Sequence, residues 1–310
     1  GFAMDISYWV GSGQSWDDVL ESCRWAEAAG WHGIWVPDHF MPPREGYDTG
    51  PDTDDPELGP IMEAFTLQAA IAASVPRVRV GAMVLGNTYR HPAVVANMAV
   101  TIDHISNGRF VLGIGAGWQE NEHGYYGIEL GSLKERSDRL AEACEVISSL
   151  LSNERTNFQG NYYRLVNAPM EPKSVKTRVP LMIGGGGEQR TLRTVARWAD
   201  EWNVWGPPSH LAQKISVLAE RCDEIGRDVG DIRKSACGLL RICQDKTEST
   251  KLRNRLGQHG GLVGTVDELK ETIDAYQSAG VDELVIPDFG TDLEMRIPIF
   301  EQFSDTVLTD

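Results

Sequence analysis

Apolar positions along the chain follow two alternating rhythms. Short runs rich in β-branched and aromatic residues, such as "MDISYWV" at 4–10 and "HGIWVPDHF" at 32–40, read as strands. Between them, apolar residues return at three- and four-residue spacing. Trp16, Val19, Leu20, Cys23 and Ala26 form one such stripe, with Ser15 placed to cap it and Gly30 just past its end. The same reading predicts helices over 61–74, 92–105, 132–151, 188–199, 210–225 and 266–280. Pro92 suits a first helical turn, where its missing N–H costs nothing, and His91 before it is placed to cap. Ser132 with Glu135 and Thr265 with Glu268 have the spacing of capping boxes. Further strands are predicted over 78–85, 110–115, 179–187, 201–206, 234–243 and 282–287.

Eight strand–helix units over 1–310 predict one α/β domain, a closed parallel (β/α)8 TIM barrel with insertions, with a doubly wound sheet as the alternative. Two stretches exceed the minimal pattern. Residues 41–60 are acidic and rich in Pro and Gly, and read either as a lid over the active face or as a plain surface loop. The insertion over 153–180 contains a hairpin expected to turn at 159–161.

Charge narrows the partners. A net charge of −16 over 310 residues argues against nucleic acid, whose phosphates need a basic face. The five cysteines are odd in number and scattered, which gives no disulfide framework and suits the reducing cytoplasm. No basic-then-apolar leader and no bilayer-length apolar run is present, so neither secretion nor a membrane partner is expected.

The unusual residues fall after strands. Asp38 and His39 follow the second; Asn87 and Thr88 the third; Gly117, Trp118, Asn121 and His123 the fourth; Gly184 to Gly187 end the fifth. Trp205 and Asp288 end the sixth and eighth. In a barrel these meet at the C-terminal mouth, where barrel enzymes place their sites. "GIGAG" at 113–117 has the wrong spacing for a dinucleotide fingerprint, and no acid ends the next strand. "IGGGGEQRTLRT" is the better anion candidate: glycines let backbone N–H groups approach a phosphate, and a helix follows with Arg190 and Arg193 in its first turns. The alternative is a flexible connection. Asp38 and His39 are a candidate acid–base pair. His123 is either a site residue or structural, His104 carries no assigned role, and Trp9, Trp118 and Trp205 either wall a flat ring or belong to the core. A metal-dependent barrel hydrolase would need a His-x-His near strand one, which "ISYWV" lacks.

"VPDHF", "GAMVLGNTYRHPAVVANMAVTIDHISNGRFVLGIGAGW" and "VPLMIGGGGEQRTLRTVARWADEW" resemble the bacterial luciferase-like flavin and deazaflavin oxidoreductases over nearly the whole chain. That resemblance implies an enzyme with FMN or the deazaflavin coenzyme F420 at the barrel mouth. Asp followed by His after strand two resembles the F420-dependent branch. By that resemblance Asp38 contacts the deazaflavin ring system and His39 is catalytic. A non-proline cis peptide is implied at Met83–Val84, beneath the ring, and Asn121 matches a cofactor ligand. Gly185, Gly186, Gly187, Gln189 and Arg190 match the phosphate-binding turn. The implied function is hydride transfer between F420 and a small organic substrate. The alternatives are a two-component monooxygenase using reduced FMN and oxygen, and a non-catalytic flavin-binding module. A homodimer is implied by analogy. Trp118 stands where the F420-dependent glucose-6-phosphate dehydrogenases have an acid, and Pro43 lies where they have a loop Trp. An apolar or aromatic substrate is therefore expected in place of a sugar phosphate.

Overall fold

The computed structural model describes residues 4–44 and 55–308. Eight parallel strands form the barrel: β1 (Asp5–Trp9), β2 (Gly33–Val36), β3 (Arg79–Ala82), β4 (Phe110–Gly115), β5 (Leu181–Gly184), β6 (Glu201–Trp205), β7 (Arg233–Cys237) and β8 (Glu283–Pro287). β1 closes the ring by pairing with β8, Asp5 opposite Glu283 through Trp9 opposite Pro287. The sequence expectation of a (β/α)8 barrel is met.

Among the described residues ten α-helices accompany the strands: α1 (Trp16–Ala28), α2 (Ala64–Ser74), α3 (Pro92–Ile105), α4 (Glu120–Tyr126), α5 (Leu133–Ser152), α6 (Thr191–Trp198), α7 (Pro208–Asp223), α8 (Lys246–Leu256), α9 (Val266–Ser278) and α10 (Leu293–Thr306). Their starts follow the expected chemistry. Ser15 accepts from Asp18 N, His91 accepts from Ala93 N ahead of Pro92, and both capping boxes form. Three helices were not anticipated. α4 has seven residues, α8 buries only Ser249, and α10 carries Pro298 inside it, so none shows a long apolar stripe.

Strand ends also differ from expectation in ways that shape the mouth. β2 stops at Val36 because Pro37 has no N–H to offer the ladder, which releases 37–40. The third strand breaks after Ala82 at a non-proline cis bond, Met83–Val84, and resumes as Leu85–Gly86 beside Ile114–Gly115. The seventh leaves the barrel at Cys237, and Leu240–Ile242 pairs instead with Leu262–Gly264. The insertion before β5 is an antiparallel hairpin, Arg155–Gln159 with Arg164–Pro169, its turn centred slightly later than expected. Of the stretch expected as a lid or loop, 45–54 lies outside the described residues. Among the described residues no helix is long and apolar enough to cross a membrane.

Alternation along the strands separates two cores. Tyr8, Ile34, Leu112 and Ile183 point outward into the large core shared with the helices. Trp9, Trp35, Met83, Val111, Met182, Cys237 and Val285 fill the barrel interior. The floor is ionic: β1, β3, β6, β7 and β8 each begin with a charged residue, namely Asp5, Arg79, Glu201, Arg233 and Glu283. Glu283 is buried and accepts from Ser7 Oγ, Trp35 Nε1 and Arg233 Nη2 at 2.5, 3.1 and 3.1 Å. Arg79 pairs with Glu201, and Arg233 reaches Asp5 at 2.6 Å. Three acids share two arginines here, and burial, with the charge of Glu283, pushes the Glu201 carboxyl above its usual range despite Arg79.

Candidate active site

The mouth is built from the segments that the strands release. Asp38 is buried. Its carboxylate accepts from Gly86 N at 2.9 Å and takes a two-pronged pair from Arg90 at 2.8 and 3.0 Å. Arg90 also reaches Glu63 at 2.6 Å and lies over the Phe65 ring. These partners enclose the Asp38 carboxylate on the side of Gly86 and Arg90. It ties the loop after β2 to the backbone just past the cis bond.

Three barrel glycines make room for that bulge. A Cβ on Gly115 or Gly184 would stand 2.7 or 2.8 Å from Val84 Cγ2, and one on Gly113 would stand 2.0 Å from Ala82 O. Val84 thus occupies space that any other residue at 115 or 184 would fill, and with Met83 it forms the floor of the mouth. One wall is aromatic: Trp9 lies 5.5 Å from Trp205 and 4.8 Å from Phe289, centroid to centroid. Trp118 sits apart from that pair, 59% exposed, its ring edge-on to His39 at 5.3 Å.

His39 is partly buried, and its Nδ1 lies 2.8 Å from Glu122 Oε1. Glu122 has no exposed side-chain surface. It also accepts from Phe40 N at 2.7 Å and from the Tyr89 hydroxyl. Burial alone would raise this carboxyl. The hydrogen bonds from His39, Tyr89 and Phe40 outweigh it and hold the group below its usual range. Sequence reading missed Glu122, because α4 is too short to show a stripe and "QENEHG" reads as a loop.

Two further α4 residues, Asn121 and His123, bond to neighbouring segments. Asn121, the expected cofactor ligand, is buried; its Nδ2 donates to Pro42 O at 2.8 Å and its Oδ1 accepts from Glu122 N. His123 is buried too. Nδ1 faces Gln119 O at 2.6 Å and must donate there, so Nε2 accepts from Thr88 Oγ1 at 2.7 Å. Asp288 likewise pins the loop after β1, accepting from Tyr8, Gly11 N and Gln14.

The four-glycine turn differs in detail from expectation. Its helix begins at Thr191, three residues later than predicted, and Arg190 pairs with Asp138 on α5. Arg193 lies 3.7 Å from Glu224. Gln189 is exposed. Gly185 has φ +120°, and side chains at 186 and 187 would press on Val204 at 3.1 Å and Thr191 at 2.9 Å. The turn is therefore a backbone cradle that a Cβ would fill. Lys214 on α7, absent from the sequence reading, lies beside Gly186 and pairs with Glu188 at 2.8 Å. These groups fit a phosphate, and the glycine-spaced floor fits a flat ring. No group of three or more His, Cys, Asp or Glu suited to a metal occurs among the described residues. A hollow of about 470 Å³ lined by Arg178, Asp200, Glu201 and Arg233 lies at the opposite end and belongs to the ionic floor.

The profile of a family described as luciferase-like monooxygenase matches residues 3–251. The chain belongs to the luciferase-like monooxygenase family. The expected family membership is met. The luciferase-like chain is 36% identical over 171 residues to an F420-dependent glucose-6-phosphate dehydrogenase of Amycolatopsis mediterranei, covering 55% of this chain and 48% of that one. It is 31% identical over 195 residues to pyrimidine monooxygenase RutA of Allorhizobium ampelinum, covering 60% and 51%. The chain thus spans about half the length of these curated relatives. In fold it is similar to an F420-dependent secondary alcohol dehydrogenase solved with an F420-acetone adduct, with TM-score 0.81, 21% identity and both chains covered completely.

Proposed function

We propose that this luciferase-like protein moves a hydride between F420 and a small organic substrate, with His39 carrying the accompanying proton. The observation that carries the reading is the seat itself. His39 is held at the edge of a mouth whose floor is Val84 and whose far side is the cradle Gly185–Gly187. Bound there, a deazaflavin would supply the hydride chemistry. Met83 and Val84 would bear its ring, and the 185–187 backbone with Lys214 would hold its phosphate. Asp38 would act indirectly, by fixing Gly86 and so the floor. His39 Nε2 would take or give the proton at the substrate oxygen.

F420 is preferred over FMN on the Asp38-His39 pair and on the likeness to F420-dependent dehydrogenases. The likeness to RutA supports the alternative, a reduced-FMN monooxygenase. The open face of Trp118 and the wall of Trp9, Trp205 and Phe289 favour an apolar or aromatic substrate. A cytoplasmic homodimer is part of the proposal, checked by light scattering and by fractionation of the host cells. Titrating apoprotein with F420 and with FMN tests the cofactor; tight FMN binding without F420 binding reverses the choice. His39→Ala is expected to lower kcat on the order of 10²–10⁴-fold while leaving F420 affinity within about threefold. Turnover unchanged by that substitution removes His39 from the chemistry.

A further inference from the structure

We infer that Glu122 is a positioning residue that locks His39 in the tautomer with hydrogen on Nδ1, leaving Nε2 as the proton acceptor. The inference rests on the proposed role of His39 and adds how that role is set.

An ionised carboxylate only accepts hydrogen bonds. Glu122 Oε2 takes the Phe40 N–H at 2.7 Å, while Oε1 faces both the Tyr89 hydroxyl and His39 Nδ1 at 2.8 Å. Three donors converging on one enclosed carboxylate keep it charged, as its depressed titration agrees. Nδ1 must then carry the hydrogen, and the neutral ring has its lone pair on Nε2. Among the described residues Nε2 of His39 has no hydrogen-bond partner.

The other groups around His39 do not compete for this task. Asp38 is next in sequence, but its carboxylate is taken up by Arg90 and Gly86 N. Tyr89 stays a donor, because burial and Glu122 push its phenol well above the usual range. Its ring stacks on His123 at 4.7 Å and meets Phe40 edge-on at 4.8 Å, which fixes the donor in place. Trp118 flanks the imidazole and offers no acceptor. The carboxylate comes from α4, while His39, Phe40 and Tyr89 come from the segments after β2 and β3. Glu122 therefore joins three parts of the mouth at one point.

The direct test is the ¹⁵N spectrum of His39 in the apoprotein. Wild type is expected to show the Nδ1–H tautomer. Glu122→Gln can turn its amide N–H toward Nδ1, and is expected to shift His39 toward the Nε2–H form. With F420 loaded, the same variant should lose kcat on the order of 10²–10⁴-fold, with KM and F420 affinity within about threefold. Glu122→Asp should recover part of the loss. Tyr89→Phe, which leaves the carboxylate in place, should keep the tautomer. An Nε2–H tautomer in wild type, or an unchanged tautomer in Glu122→Gln, overturns the inference; the wild-type spectrum decides even if a variant fails to fold. A failure of His39→Ala to slow turnover would instead strike the proposed function and leave the tautomer result standing.

Discussion

Val84 Cγ2 stands 2.7 Å from where a Cβ on Gly115 would lie, so the residue after the cis bond and a glycine one strand away occupy a single shared space. Gly115→Ala and Gly184→Ala should each cost about 1–3 kcal/mol by overpacking. Pairing either with Val84→Ala should return much of that loss, seen as non-additivity in denaturant unfolding. Gly113→Ala should behave differently. Its Cβ would meet the Ala82 carbonyl at 2.0 Å, which no side-chain truncation relieves. Equal rescue of all three glycine variants by Val84→Ala would contradict this arrangement.

Arg90→Met leaves the Asp38 carboxylate enclosed without its cation. Breaking a buried pair from one side costs on the order of 3–5 kcal/mol, so a clear fall in Tm is expected. Double replacement, Arg90→Met with Asp38→Asn, should cost less than the single change, and unfolding curves for the four proteins measure the coupling.

Glu201 gives a pH signature of unusual sign. Its carboxyl is raised in the folded chain, chiefly by burial, above the ordinary glutamate value of about 4.3 that applies when unfolded. The folded state therefore binds that proton more tightly. Its contribution to stability is unimpaired below the unfolded value and falls as pH rises toward the raised one. Glu201→Gln removes the dependence and keeps an acceptor for Arg79. The Tm of the variant relative to wild type should climb as pH rises above the ordinary glutamate value of about 4.3; a flat or falling difference would show that Arg79 keeps the carboxylate charged at no cost.

Trp118 is exposed, so Trp118→Ala should leave stability within about 0.5 kcal/mol of wild type. If its open face receives substrate, KM for an aromatic or apolar substrate should rise roughly tenfold while F420 affinity holds. Loss of F420 binding in this variant would move Trp118 from the substrate side to the cofactor side.

Much of the fold was readable because strand and helix periods differ, and because Ser15, Ser132 and Thr265 announce helix starts chemically. The mouth was readable as a location, since every released segment follows a strand. The partners within it were not. Asp38 and Asn121 carry the residue types of ligands, but their protein partners are distant in sequence: Arg90 is 52 positions from Asp38, and Pro42 is 79 from Asn121. Glu122 and Lys214 escaped for the converse reason. Glu122 lies on a helix too short to show a pattern and Lys214 on an ordinary one, and only long-range packing brings either charge to the site.

The sealed ionic floor has a kinetic meaning. Among the described residues, Trp35, Met83 and Met182 pack inside the barrel above Arg79, Arg233 and Glu283, so apolar side chains and ion pairs fill the end opposite the mouth. Under the proposed function, substrate and product would share the mouth as their doorway. On the proposed function, departing product would stand in the way of the next molecule, so traffic at the mouth would bear on the pace of turnover as much as the transfer itself.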